Sequence, residues 1–383
     1  MSMVMPGLLS QLDTLISMPS VSSAHSNLDM SNKEVIYFLA EAFESMGFSC
    51  EIITCNNNKF NLIATLGSGP GGLVLAGHTD TVPFDQELWS VDPFQLTEKD
   101  GKVFGLGITD MKGFFPIAME AIKPISEADF VEPLIILATA DEETSMQGAR
   151  TLAELGRPKA RSAIIGEPTG LRPVKAHKGI MMDCIRLFGE SGHSSDPSLG
   201  KNALDAMHQV ISQLIDYRDQ LKDRYKSELF TIPYPTLNLG SIHGGDNPNR
   251  ICGNCALEFD VRLTPGMHID TVRAEIRDKV RSVTEPLKIQ FEMTEIFSGV
   301  PAFFTQENSA LLKAAEELTG HNGISVAFAT EGPFLQQLGM DTIIMGPGNI
   351  DQAHQPDEYM SLDMINPSID VLTRLIIKHC IRQ

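Results

Sequence analysis

Leu73-Val74-Leu75-Ala76-Gly77-His78-Thr79-Asp80 is a short apolar run that ends in a histidine and an aspartate. Apolar on both faces, such a run suits a central strand of a sheet covered by helices. The same pattern recurs along the chain. Leu134–Ala138 is followed by Asp141, Glu142 and Glu143, Ala163–Ile165 by Glu167, and Thr342–Met345 by a loop holding His354. In open α/β sheets ligands bind outside the carboxyl ends of the strands. Four strand ends here deliver His78, Asp80, Asp141, Glu142, Glu143, Glu167 and His354. Imidazole and carboxylate donors without cysteine suit zinc, cobalt or manganese. Each residue alone is equally compatible with a solvated polar surface, so the residues by themselves leave a metal site and a charged strand-end rim both open.

Working outward, Val35, Ile36, Leu39, Phe43 and Met46 recur at helical spacing, with Gly47 as a stop signal. Cys50–Cys55 and Asn61–Leu66 read as strands joined by Asn56-Asn57-Asn58. Beyond Lys178 the pattern changes. Ile180–Phe188 reads as a strand, Leu204, Met207, Ile211, Leu214 and Leu221 as one face of a helix, and Thr236–Ile242 as a strand. Cys255–Leu263 alternates as a half-buried strand does, before a helix near Ile269–Val283 and a strand near Leu287–Ile296. The order β-α-β-β-α-β is the ferredoxin-like motif. The expected fold is therefore α/β. A central mixed sheet flanked by helices (residues 1–177 and 297–383) would carry the metal ligands, and a ferredoxin-like domain (178–296) would be inserted into it.

Composition narrows the function classes. With 383 residues, 42% of them apolar, the chain is ordinary globular material, enough for about two domains. A formal charge of −19 argues against nucleic acid, whose phosphates need clustered Lys and Arg. No apolar run reaches the ~20 residues that span a bilayer. Met1 to Ser10 lacks the basic and apolar regions of a signal peptide, so a cytoplasmic location is expected. Six cysteines are too sparse for a disulfide scaffold, and the lone Cys252/Cys255 pair lacks a partner pair at zinc-ribbon spacing.

Longer motifs then carry a resemblance. Gly77-His78-Thr79-Asp80-Thr81-Val82-Pro83, Gly107-Ile108-Thr109-Asp110-Met111-Lys112-Gly113, Asp141-Glu142-Glu143, Gly166-Glu167-Pro168 and His354-Gln355-Pro356-Asp357-Glu358 resemble, in order, the signatures of the aminoacylase/carboxypeptidase metallohydrolase family. The resemblance covers nearly the whole chain. Glu142–Met146, Ser191-Gly192-His193-Ser194-Ser195-Asp196-Pro197, Tyr234–Gly240 and Asn249–Cys252 are similar to its acetylornithine deacetylase branch. Leu106 stands where many relatives, succinyl-diaminopimelate desuccinylases among them, carry Arg. Ala329-Thr330-Glu331-Gly332-Pro333 departs from the deacetylases, which have Cys before the Thr and Ala after the Glu, and this loosens the substrate assignment.

The resemblance implies two divalent ions per chain, zinc first and cobalt second. Asp110 would bridge them, His78 and Glu167 would bind one, and His354 and Glu143 the other. It implies that Asp80 orients His78, that the peptide after Asp110 is cis, and that Glu142 is the general base for water attacking an N-acyl amide. His193 would stabilise the oxyanion from the partner subunit of a homodimer formed through the inserted domain; the Leu204–Leu221 face could support that contact and could equally be intradomain core. Arg250 would meet the substrate α-carboxylate, and Glu331 the distal ammonium of ornithine, by charge complementarity. The implied reaction is hydrolysis of N2-acetyl-L-ornithine in arginine biosynthesis. Its rivals are a related deacylase, acting on succinyl-diaminopimelate or N-acyl amino acids generally, and a non-catalytic metal-binding dimer. His25, His208, His321 and His379 match no motif and read as ordinary residues.

Overall fold

A computed structural model of the chain describes residues 6–56 and 58–381. Asn57 of the expected strand connection and Met1–Met5 lie outside the described residues. The chain divides into two compact units. The first holds residues up to Lys175, Thr305–Ile324 and the segment from Thr330 onward; the second holds Ala176–Phe304 and Ser325–Ala329.

In the first unit the apolar runs form the centre of a mixed sheet. Leu73–His78 lies between Leu134–Thr139 and Ser162–Pro168, parallel to both, and Asp341–Gly346 runs parallel to Ser162–Pro168 on the far side. Every residue of Leu73–His78, Leu134–Thr139 and Ser162–Pro168 is buried, which explains why the sequence does not alternate there. Lys59–Leu66 pairs antiparallel with Leu134–Thr139, and Ser49–Asn56 antiparallel with Lys59–Leu66. Helix Lys33–Ser45 buries Val35, Ile36, Leu39 and Phe43, the face its spacing predicts. Helices Phe114–Ile122 and Leu362–Cys380 join the same core. A small sheet of three-residue strands, Thr97–Lys99, Lys102–Phe104 and Tyr359–Ser361, has no counterpart in the sequence expectation.

In the second unit, strand Gly179–Phe188, helix Ala203–Arg224, strands Thr236–Gly244 and Asn254–Leu263, helix Ile269–Thr284 and strand Gln290–Val300 follow one another. The four strands form an antiparallel sheet with Thr236–Gly244 at one edge and Gln290–Val300 at the other. Met207, Leu214 and Leu221 are buried with sheet residues Ile185, Leu257 and Val261 in this unit's own core, while Leu204 is exposed. Of the two readings of this helix face, intradomain core is the one that most of its residues follow. Cys255 is fully buried in that core, and the Cys252 thiol donates to the Asn254 carbonyl oxygen at 3.1 Å. Among the described residues no helix is long and apolar enough to cross a membrane.

Candidate metal centre

The carboxyl ends of the central strands and the loop Gly107–Asp110 bring His78, Asp110, Glu142, Glu143, Glu167 and His354 together. One donor atom each from His78, Asp110 and Glu143 lies within 4.8 Å of the others, and the same holds for His78, Glu142 and Glu167. Asp110 is the hinge of the arrangement. Its Oδ1 lies 3.0 Å from His78 Nε2 and its Oδ2 3.5 Å from His354 Nε2, so the two carboxylate oxygens face different imidazoles. His354 Nε2 also lies 3.0 Å from Glu143 Oε1.

Local structure sets each of these side chains. His78 closes a parallel strand, and its Nδ1 sits 2.9 Å from the Asp80 main-chain oxygen, which places the ring proton there and leaves Nε2 for a ligand. The Asp80 carboxylate is farther from that ring, at 3.8 Å. It instead accepts the backbone N–H groups of Glu142 at 3.2 Å and Glu143 at 3.1 Å. The bond that orients His78 thus comes from the Asp80 main chain, while the Asp80 carboxylate holds the acidic turn. Asp141, which the strand-end pattern placed among possible ligands, is held outside the cluster by Lys59 at 2.8 Å and Ser22 at 3.0 Å. The Asp110–Met111 peptide is cis. Gly107 precedes it with φ +82°, and a Cβ there would come within 2.8 Å of both the Thr81 and Lys112 side chains, so this loop position requires glycine.

Four acidic groups crowd one buried space, and their titration reflects it. Burial, then the neighbouring Glu167, holds Glu142 well above the usual carboxylate range. Burial, then Asp110, does the same to Glu167, and Glu143 is raised for the same reasons. Burial opposes ionisation of Asp110 too, but the hydrogen bonds from His354 and His78 prevail and hold it below its ordinary value. His354 is pushed up to about 10 by Asp110 and Glu143. Such a pocket of clustered acids with two imidazoles at its edge is the donor set that divalent cations neutralise, so the residues fit two ions. His78, Glu167 and Asp110 would hold one ion, and His354, Glu143 and Asp110 the other, with Glu142 beside the first.

Of the other expected site residues, Glu331 adjoins the cluster, whereas His193 and Arg250 belong to the second unit. Glu331 is buried in the first unit, where its Oε2 accepts from the Thr139 hydroxyl at 2.9 Å while its Oε1 has no partner among the described residues; burial raises it to about 7. His193 and Arg250 belong to the second unit and bridge each other through the backbone. His193 Nδ1 is 2.7 Å from the Ser195 hydroxyl, and Arg250 forms an exposed ion pair with Asp246 at 2.5 Å. Beside His354, a cavity of about 110 Å³ is walled by Val82, Phe84, Leu88, Trp89 and Leu106. Asp85 and Gln355 also line it, and apart from His354 no basic side chain does.

Residues 74–378 match the profile of peptidase family M20/M25/M40. The chain belongs to peptidase family M20. Similar solved structures include a tripeptidase from Staphylococcus aureus, at 21% identity and TM-score 0.73 over 96% of both chains. The aminopeptidase PepT of Bacillus cereus is 18% identical, TM-score 0.73, covering 96% of this chain and 97% of that one. A metallo-carboxypeptidase from Sulfolobus solfataricus is 19% identical, TM-score 0.73, covering 97% and 99%. At these identities the likeness to individual structures concerns the fold. The family match and the donor clusters make this M20 protein a metal-dependent hydrolase of amide bonds.

Proposed function

We propose that this M20 hydrolase removes a small acyl group from an N-acyl amino acid, with N2-acetyl-L-ornithine as its substrate. The observation that carries this reading is the cavity beside His354. Its walls mix apolar side chains with polar groups, its one acid is Asp85 and neither Lys nor Arg lines it, so a small neutral acyl group or a cationic side chain fits its chemistry. A succinyl carboxylate would find no Lys or Arg there. The runs Glu142–Met146, Ser191–Pro197 and Asn249–Cys252 support the same branch.

Two divalent ions, zinc first and cobalt second, would polarise the scissile carbonyl and acidify water at the centre. Glu142 takes the proton of the attacking water and returns it to the leaving amine. Arg250 meets the substrate carboxylate, exchanging its contact with Asp246 for a bidentate one. Glu331 meets the distal ammonium of ornithine through Oε1, while Oε2 keeps its bond from Thr139. The second unit serves as a ferredoxin-like dimerisation insert, and His193 reaches the active site of the partner subunit.

The test is steady-state hydrolysis of N2-acetyl-L-ornithine beside N-succinyl-L,L-diaminopimelate, N-acetyl-L-methionine and a dipeptide, with zinc-loaded and chelator-stripped protein. Metal-dependent preference for acetylornithine is the expected result. Preference for the succinyl substrate or the dipeptide would defeat the acyl-group assignment and leave the metal chemistry standing.

A further inference from the structure

Glu358 is 2% exposed, and its carboxylate is spent entirely on the main chain of the loop that carries Asp110. Its Oε2 accepts the N–H of Gly107 at 2.9 Å, and its Oε1 those of Thr109 at 2.7 Å and Asp110 at 3.0 Å. Burying a carboxylate is costly unless hydrogen bonds compensate, and here it is buried near a second carboxylate, Asp110. Neutral side chains could fill the same space without that repulsion. What an acid supplies instead is two acceptor oxygens able to gather three N–H groups converging on one loop.

The surrounding bonds tie the same two segments together. Gly105 N–H donates to the Glu358 main-chain oxygen at 3.1 Å, and the Thr109 hydroxyl donates to that of Tyr359 at 2.7 Å. Tyr359, Met360 and Ser361 pair antiparallel with Phe104, Val103 and Lys102. His354 lies four residues before Glu358 on this segment. The contact therefore joins the backbone of one metal-binding side chain to the segment bearing another.

We propose that Glu358 is a positioning residue of the metal centre, fixing the Gly107–Asp110 backbone so that the Asp110 oxygens stand between His78 and His354. This rests on the two-metal reading of the cluster. Supporting contacts of this kind commonly change metal affinity by roughly 10–100-fold when removed. Glu358→Gln keeps the shape but turns one acceptor into an N–H₂ donor facing an N–H donor, so the loop loses part of its anchor.

The experiment measures zinc affinity by competition with a chromophoric chelator for wild type, Glu358→Gln and Tyr359→Ala. The last perturbs the same small strand and its ring contact with Phe104 without touching the carboxylate. Glu358→Gln should weaken zinc binding at least tenfold, with kcat restored by excess zinc at unchanged KM, while Tyr359→Ala stays within about twofold of wild type. Zinc affinity within twofold of wild type in Glu358→Gln, or an equal loss in Tyr359→Ala, would overturn the proposal. Hydrogen exchange on wild type gives a check independent of any variant: the Gly107, Thr109 and Asp110 amides must be strongly protected, and rapid exchange would overturn it as well. Wild-type protein that binds no zinc would instead remove the metal centre itself.

Discussion

Asp110 divides its two oxygens between two imidazoles, whereas Glu142 shares a space with His78 and Glu167 in which it could serve as a ligand or as a base. Metal content and turnover separate these roles. Glu142→Ala should keep both ions, measured by elemental analysis of the purified protein, and lose ~10²–10⁴-fold in kcat, the usual worth of a positioned general base. Loss of one metal equivalent would make Glu142 a ligand, and unchanged turnover would remove it from the chemistry. Single residues were unevenly legible in the sequence. His78, Glu143, Glu167 and His354 stand out because each follows an apolar strand run. Asp110 follows no such run, since it sits in a glycine-rich loop, and only the resemblance pointed to it. Glu358 appeared only as the end of the motif that opens with His354, and its role left no signal, because that role lies in a contact with Gly107 across 251 residues of sequence.

At the level of elements, the turn after Leu134–Thr139 is held from two sides. Asp80, beyond the end of one neighbouring strand, takes the amides of Glu142 and Glu143. From the other neighbour, Lys59–Leu66, Asn61 bonds Ala140 and Gly148, and Lys59 reaches Asp141 at 2.8 Å and Asp29 at 2.7 Å. Lys59 is 2% exposed, so removing its charge strands two aspartates that face a common space, Asp141 buried and Asp29 partly exposed. Breaking a buried pair on one side typically costs about 3–5 kcal/mol, and with Asp29 partly solvated the lower end applies. Lys59→Met should therefore lower stability by about 3 kcal/mol in urea denaturation at pH 7. A loss under ~1 kcal/mol would show the pair to be effectively solvated. Burial depresses Lys59, but its bonds to Asp141 and Asp29 win and raise it above the usual 10.5. Its contribution is thus complete below that value and fades as pH rises through the higher folded-state value. On the alkaline side, the stability gap between wild type and variant should accordingly close only in strongly alkaline solution. The sequence showed the strand Asn61–Leu66 and the acidic turn but not their connection, because a lysine opening a strand reads like any surface charge. The three-residue strands beside Asp110 were equally silent, being too short and too polar to show a period.

For the whole molecule, the mixed sheet was readable because its central strands are apolar on both faces, and the change of pattern after Lys178 because half-buried strands alternate. What packs against an apolar helix face is not written in its spacing. The stripe from Met207 to Leu221 lies in the core of its own unit. For the proposed homodimer, the surfaces left on the second unit include the edge strand Thr236–Gly244 with its exposed Ile242. An edge strand offers unpaired N–H and C=O groups to a second copy, and a two-fold axis would make that contact reciprocal. Whether His193 then serves the partner's metal centre can be tested by complementation. His193→Ala and Glu142→Ala should each be nearly inactive alone. In a mixed dimer, the site bearing an intact Glu142 would face the intact His193 of the other variant. If subunits are exchanged at equal concentration, half the dimers are mixed and one of their two sites is complete, so activity should return to roughly a quarter of wild type. If His193 acts within its own chain, every site in the mixture lacks one of the two groups. Mixing would then restore nothing, even where sedimentation shows that mixed dimers have formed.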